Sequence, residues 1–131
     1  MQTTFILVKP SKKVLVYQRD DGNGKKIPYP NMWCIPGGSP EGAERSVDAI
    51  IREIYEEFEI KVAEANCELL TKYYHNGDND DVFICRVPEE VVAIQHEGRD
   101  FRWMTFEEIQ QLDLAWHQDE LLDVLSGALK K

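Results

Sequence analysis

From Gly37 to Ile60 the chain reads GGSPEGAERSVDAIIREIYEEFEI, a double glycine followed by a helical segment dense in carboxylates. Val47, Ile50, Ile51, Ile54 and Phe58 recur at helical spacing and form a stripe that must be buried. Glu53, Glu56 and Glu57 stand at i, i+3 and i+4, so they share about 100° of a neighbouring face. Two like charges ~4 Å apart repel by about 4 kcal/mol at an effective dielectric of ~20. A helix held along one side and crowded with negative charge beside it calls for compensation. A hard divalent cation with oxygen ligands is the simplest candidate. The spacing predicts a helix from Ala43 or Glu44 to about Phe58. It is entered through a turn whose glycines permit positive φ and close backbone approach.

Around this segment the pattern is one of short strands. Thr3 to Val8 and Lys13 to Gln18 predict an antiparallel hairpin across Lys9 to Lys12. Arg19 to Lys26 is a polar loop, stiffened on its return by Pro28 and Pro30 and leading to Trp33-Cys34-Ile35; it is either a functional loop or a surface excursion. Ile60 to Val62, Cys67 to Tyr74, Val82 to Val87 and Phe101 to Met104 predict further strands. His75 to Asp81 contains Asn-Gly, a hairpin signal, in a connection longer than two residues. Its acids lack the spacing of a calcium loop and are expected to be a solvated turn. Val91 to Ile94 is a short apolar segment, and Gln95 to Asp100 a polar loop containing Glu97. Thr105 and Glu108 form a capping box for a short helix. Trp116 to Leu129 predicts a last helix, closing on Lys130-Lys131. Strands, a helix, strands and then helices imply an α/β (α+β) fold, a mixed twisted sheet with helices on its faces.

A length of 131 residues suits one domain, and 43% hydrophobic with 30% charged residues is ordinary for a globular chain. The net charge of −9 argues against a nucleic-acid duplex or an anionic membrane as partner. A small phosphorylated ligand is compatible with it, because a bound metal reverses the local field. Cys34, Cys67 and Cys85 are widely spaced, which suggests reduced thiols in a cytoplasmic protein rather than a zinc site or disulfides. The opening MQTTFILVKPSKK does not read as a signal peptide, and no apolar run approaches the ~20 residues of a membrane span.

Gly38, five residues, Glu44, seven residues and then Arg52-Glu53-Ile54-Tyr55-Glu56-Glu57-Phe58-Glu59-Ile60 resembles the Nudix box. Glu59 stands where the family has Gly. Trp33 to Gly38 resembles the family's approach to the box, and Phe101-Arg102-Trp103-Met104 with Glu107-Glu108-Ile109 resembles its last strand and helix. The resemblance spans nearly the whole chain and implies a single Nudix domain, residues 1–131, with an α/β/α sandwich.

It also implies a pyrophosphohydrolase that uses Mg²⁺ or Mn²⁺ to cut a nucleoside diphosphate linked to another moiety. Glu56 and Glu57 would be metal ligands, together with a backbone carbonyl of the glycine turn, Gly37. Glu53 would be a further ligand or the base that deprotonates water. Arg52 would orient one of these carboxylates, and Glu44 would support the start of the helix behind Gly38. Glu97 would be a metal ligand or general base, or else a solvated loop acid. Independently of the family, attack on a phosphoanhydride needs neutralised oxygens and an aligned, deprotonated water, and oxygen-only ligands suit Mg²⁺.

Substrate candidates are fewer. Arg19 and Lys72 either meet phosphates or are surface charges. Tyr29, Trp33, Tyr74 and Phe83 either stack on a base or, above all Trp33 and Phe83, pack in the core. His75, His96 and His117 read as surface residues, and Cys34 as a small strand residue. The resemblance allows a homodimer. Two other functions stay open: a triphosphate pyrophosphohydrolase that clears oxidised nucleotides, and a non-catalytic module that binds a nucleotide or a protein. A left-handed end of the helix at Glu59 would cost about 1 kcal/mol or more.

Overall fold

The computed structural model describes residues 1–75 and 77–130. Its strands are β1 (Gln2–Val8), β2 (Val14–Gln18), β3 (Trp33–Cys34), β4 (Gly37–Gly38), β5 (Cys67–His75), β6 (Asp78–Arg86) and β7 (Asp100–Met104). Its helices are α1 (Ser46–Phe58), α2 (Phe106–Gln110) and α3 (Leu122–Leu129), with 3₁₀ segments at Glu64–Asn66 and Ala115–Leu121. The sheet is mixed, in the order β3-β2-β1-β6-β5. β1 and β6 run parallel, from Gln2↔Asp80 to Val8↔Arg86. β5 and β6 are antiparallel, as are β2 and β7.

β1 and β2 are paired at Val8↔Val14, the turn end of the predicted hairpin. Lower down, Thr3 and Thr4 of β1 pair with Gly38 and Gly37 of β4. The glycine segment therefore stands against β1 where β2 has splayed away. That opening sets the functional region.

β1 is apolar from Phe5 to Val8, where both of its faces are covered. Ile6 and Val8 belong to one core cluster with Ile35, Met104, Ile109, Leu114, Leu121 and Leu125. Phe5 and Leu7 belong to a second with Ile50, Ile54, Phe58 and Ile60. Each cluster takes a different set of helices, which makes the expected three-layer arrangement. In α1 the residues Ala49, Ile50, Ile54 and Phe58 are buried. Each large one contributes about 1.5–3 kcal/mol by leaving water. Those residues hold the helix against the sheet and aim its carboxylate face away from the core.

Several local expectations are corrected. α1 starts at Ser46, two residues or more later than predicted, because Glu41 to Glu44 form their own turn, with Glu44 N–H donating to Glu41 O at 3.0 Å. Ile60 to Val62 is not a strand; Ile60 is buried in the core instead. β6 begins at Asp78, four residues early, so the connection from β5 is short and Asp80 and Asp81 lie inside the sheet. They are 4% and 6% exposed rather than solvated. Thr4 Oγ1 donates to both oxygens of Asp80, and Ser46 Oγ donates to Asp81 at 2.7 Å. Donors supplied by β1 and α1 decide this, and local sequence does not contain them. Asn76 of the Asn-Gly signal and Lys131 of the terminal lysine pair lie outside the described residues.

The last predicted helix is also shorter. Trp116 and His117 take left-handed backbone, with φ of 61° and 58°, and α3 begins only at Leu122. Next to them, Gln118 clasps the backbone of Ile35: Ile35 N–H donates to its Oε1 at 2.7 Å and its Nε2 donates to Ile35 O at 2.9 Å. This buried tie overrides the helical periodicity. The capping box is present, with Glu108 N–H donating to Thr105 Oγ1 and Thr105 N–H to Glu108 Oε1. No helix among the described residues is long and apolar enough to cross a membrane.

Candidate active site

The two glycines of β4 are required for lack of a side chain rather than for positive φ, which neither adopts. A Cβ on Gly37 would lie 2.2 Å from the backbone oxygen of Thr3. On Gly38 it would lie 2.5–2.7 Å from the end of the Glu53 side chain. The strand pairing of β4 and the seat of the Glu53 carboxyl thus both need hydrogen at these positions. Thr3 Oγ1 donates to Gly38 O at 3.0 Å.

Arg52 ties the carboxylate face together. Its Nε and Nη2 donate to the two oxygens of Glu44 at 2.9 and 3.0 Å, a bidentate pair. Its Nη1 donates to Glu53 Oε1 at 2.9 Å and to Glu56 Oε2 at 3.2 Å. Nη2 also reaches Ser39 O at 3.1 Å. This guanidinium, with the Glu41 N–H that donates to Glu44 Oε1, holds the Glu44 carboxyl below the usual range. The planar fork fixes the loop after β4 to the middle of α1, which a lysine cannot do.

Glu57 lies on the other side of that knot and has no such partner among the interactions that shift it. Burial is the largest influence, followed by the charges of Glu53 and Glu97, whose carboxyls share hydrogen bonds with it. Together they push its pKa from an ordinary 4.5 up to about 9. At neutral pH the Glu57 carboxyl therefore holds a proton between two carboxylates. Oxygen-donor side chains near one another, one of them raised by burial and by the charges beside it, are the donor chemistry of a hard divalent cation. Glu56 is turned the other way, toward Arg52, with its side chain 57% exposed. Among the described residues no group of three or more histidine, cysteine, aspartate or glutamate side chains stands close enough together to hold a metal ion as arranged.

Glu59 ends α1 in the left-handed region, with φ 54° and ψ 33°, and its N–H donates to Tyr55 O at 2.9 Å. The helix therefore ends as a glycine there would end it, at a strain cost of about 1 kcal/mol or more. Glu57 lies within the regular helix, which runs on to Phe58.

Beyond Gly37 and Gly38 opens a cleft of about 380 Å³ lined by Thr3, Thr4, Tyr17, Arg19, Asp80, Trp116 and Gln118, among others. Arg19 lies over the Trp116 ring at 5.2 Å from its centroid, and Tyr29 packs on that ring at 4.8 Å. Burial raises both Tyr17 and Cys34, the thiol to about 11, so both stay neutral. Of the three substrate candidates, Arg19 lines the cleft. Lys72 instead pairs with Asp81 at 3.3 Å, and Tyr74 is 69% exposed. Phe83 is buried and Trp33 packs against the core beneath Arg102. Sequence reasoning missed Thr4, Asp80, Trp116 and Gln118. The run Asp78 to Asp81 is polar, and nothing local marks it as the buried start of a strand. The thiols Cys34, Cys67 and Cys85 are free.

A family model described as "NUDIX domain" matches residues 2–125. Among curated relatives, the nucleoside triphosphatase NudI of Escherichia coli K12 is 29% identical over 99 residues, which cover 66% of this chain and 70% of that protein. Among solved structures, a MutT from the study of the Aliivibrio salmonicida and Vibrio cholerae proteins has a TM-score of 0.79 at 18% identity and covers 96% of each chain. The NUDIX domain of Shewanella oneidensis NrtR, solved with ADP ribose, has a TM-score of 0.77 at 18% identity, covering 98% of this chain and 86% of that one. At such identities the structural likeness speaks for the fold.

Proposed function

The chain belongs to the Nudix hydrolase family and is an enzyme of the pyrophosphohydrolase type; on that premise we propose that it hydrolyses a phosphoanhydride bond of a nucleotide with the help of Mg²⁺ or Mn²⁺. The carboxylate face of α1 carries this reading: Arg52 holds Glu44, Glu53 and Glu56 there, and Glu57 lies buried beside Glu53 and Glu97. Glu53, Glu56, Glu57 and Glu97, with the carbonyl of Gly37, would hold the cation. When bound, it would neutralise phosphate oxygens and lower the pKa of water.

The chain's own residues do the rest. Arg52 holds Glu53 and Glu56 in place and keeps Glu44 bound to the loop after β4. Glu53 or Glu97 takes a proton from the attacking water. The Glu57 carboxyl must give up its own proton before it can act as a ligand, so activity rises toward alkaline pH. The cleft beyond Gly38 is the place for the nucleoside, with Arg19 near its phosphates and the oxygens of Asp80 facing donors on its base. Three free thiols and a net charge of −9 suit a cytoplasmic protein that binds neither duplex nucleic acid nor membrane, and a homodimer is compatible with the family.

A nucleoside triphosphate is favoured as substrate by the name of the NudI relatives. A nucleoside diphosphate linked to another moiety is favoured by the NrtR domain solved with ADP ribose. A release screen decides between them. Canonical and oxidised triphosphates, nucleotide sugars, ADP-ribose and dinucleoside polyphosphates are each incubated with Mg²⁺ or Mn²⁺. Pyrophosphate from triphosphates supports the first. Nucleoside monophosphate from linked diphosphates, with triphosphates untouched, supports the second. No release from any substrate with either metal overturns the proposal.

A further inference from the structure

Glu59 carries two costs where it stands. Its backbone is left-handed, and its carboxylate sits at the negative end of the α1 dipole. The side chain compensates by accepting a hydrogen bond from His96 Nε2 at 2.6 Å. Around this contact the loop between β6 and β7 is stapled to the helix end. Ile94 N–H donates to Phe58 O and His96 N–H to Glu57 O, both at 2.9 Å, satisfying carbonyls that the helix itself leaves open. At its far end the loop turns through Gly98, with φ 87°, and Arg99 N–H donates to Gln18 O at 2.8 Å. The next side chain after His96 is Glu97, whose carboxyl meets that of Glu57.

We propose that Glu59 and His96 are positioning residues, a side-chain clamp that holds the Glu97 loop against the end of α1 and so sets the distance between Glu97 and Glu57. Neither residue touches substrate. A chain with glycine at this position keeps the two backbone staples and lacks the third. The inference rests on the reading of Glu97 as part of the reacting site, but the clamp itself can be tested without that reading.

The test compares Glu59→Gly, Glu59→Gln, His96→Ala and Glu97→Gln with the parent chain. Thermal melting and amide hydrogen exchange are measured without added metal, and kcat and KM with Mg²⁺. Glu59→Gly should melt no lower than the parent, because strain is relieved. Its Ile94 and His96 amides should nevertheless exchange about tenfold faster, the loss of one charge-assisted hydrogen bond. kcat should fall about tenfold with KM little changed, since only the geometry of the reacting groups is loosened. His96→Ala should do the same, and Glu59→Gln, which keeps an acceptor, should restore most of the loss. Unchanged exchange at Ile94 and His96 in Glu59→Gly overturns the clamp. Faster exchange with unchanged kcat, while Glu97→Gln is inactive, overturns its positioning role. If Glu97→Gln is itself fully active, the reading of Glu97 fails, and the exchange data alone decide on the clamp.

Discussion

Glu56 and Glu57 are neighbours in the chain and opposite in circumstance. Glu56 is exposed and paired with Arg52, so its charge is accommodated in the folded protein at little cost. Glu57 is drawn inward between Glu53 and Glu97, and its charge is suppressed. One helical step of 100° separates a carboxylate that the protein has compensated from one that awaits an outside charge. The difference teaches that a row of acids in a motif is not one electrostatic object. Arg52 compensates Glu44, Glu53 and Glu56 directly and leaves Glu57 without a cationic partner among the influences that shift it.

The largest effect that probes this division is Glu57→Gln. It should lower kcat by about a thousandfold, as loss of a group that binds the cation at the developing charge does. The same variant should melt higher than the parent at pH 9, where it no longer confines a carboxylate beside two others. Steady-state rates and melting curves check both, and a lower melting point at pH 9 would break the comparison. Glu56→Gln should also lose activity, but its melting temperature should stay within about a degree or two, because an exposed pair is worth under 1 kcal/mol.

Arg52→Lys comes next, since an ammonium cannot reproduce the bidentate hold on Glu44 while also reaching Glu53 and Glu56. Activity should fall about 10–100-fold, the usual range for a group that orients ligands. A variant within twofold of the parent would show that the fork is dispensable.

The pH dependence of stability sharpens the same contrast. The folded pKa of Glu57 is raised, from about 4.5 to about 9, so the folded state holds a proton that the unfolded state has lost. This contribution is full below pH 4.5 and is lost as pH rises toward 9. Without metal, the melting temperature should therefore decline across that window, and less so in Glu57→Gln. Added Mg²⁺ should raise it more at pH 9 than at pH 6, because the cation competes with that proton. Equal shifts at both values would count against Glu57 as the ligand. The smallest effect expected is for Asp80→Asn, which should raise KM about threefold to tenfold for bases that offer hydrogen-bond donors, with kcat little changed.

Much of the fold was legible in the sequence because its signals are local. The apolar run of β1, the stripe of α1 and the Thr105–Glu108 box each lie within one element. The misreadings share one cause, a partner distant in sequence. Asp80 and Asp81 are in a strand because Thr4 and Ser46 supply donors. Trp116 and His117 stay out of a helix beside the tie between Gln118 and Ile35. Glu59 was visible as a departure from the family pattern, but not the use the chain makes of it.

What the sequence by itself determined is the spacing: Gly38, Glu44, Arg52, Glu53, Glu56 and Glu57 are set on one loop and helix by covalent distance and the helical repeat. Tertiary structure alone decided that Glu44 is pushed down and Glu57 up. That depends on which side of α1 meets Arg52, which meets the loop carrying Glu97, and how much water each is left, and no local pattern encodes the dielectric around an atom.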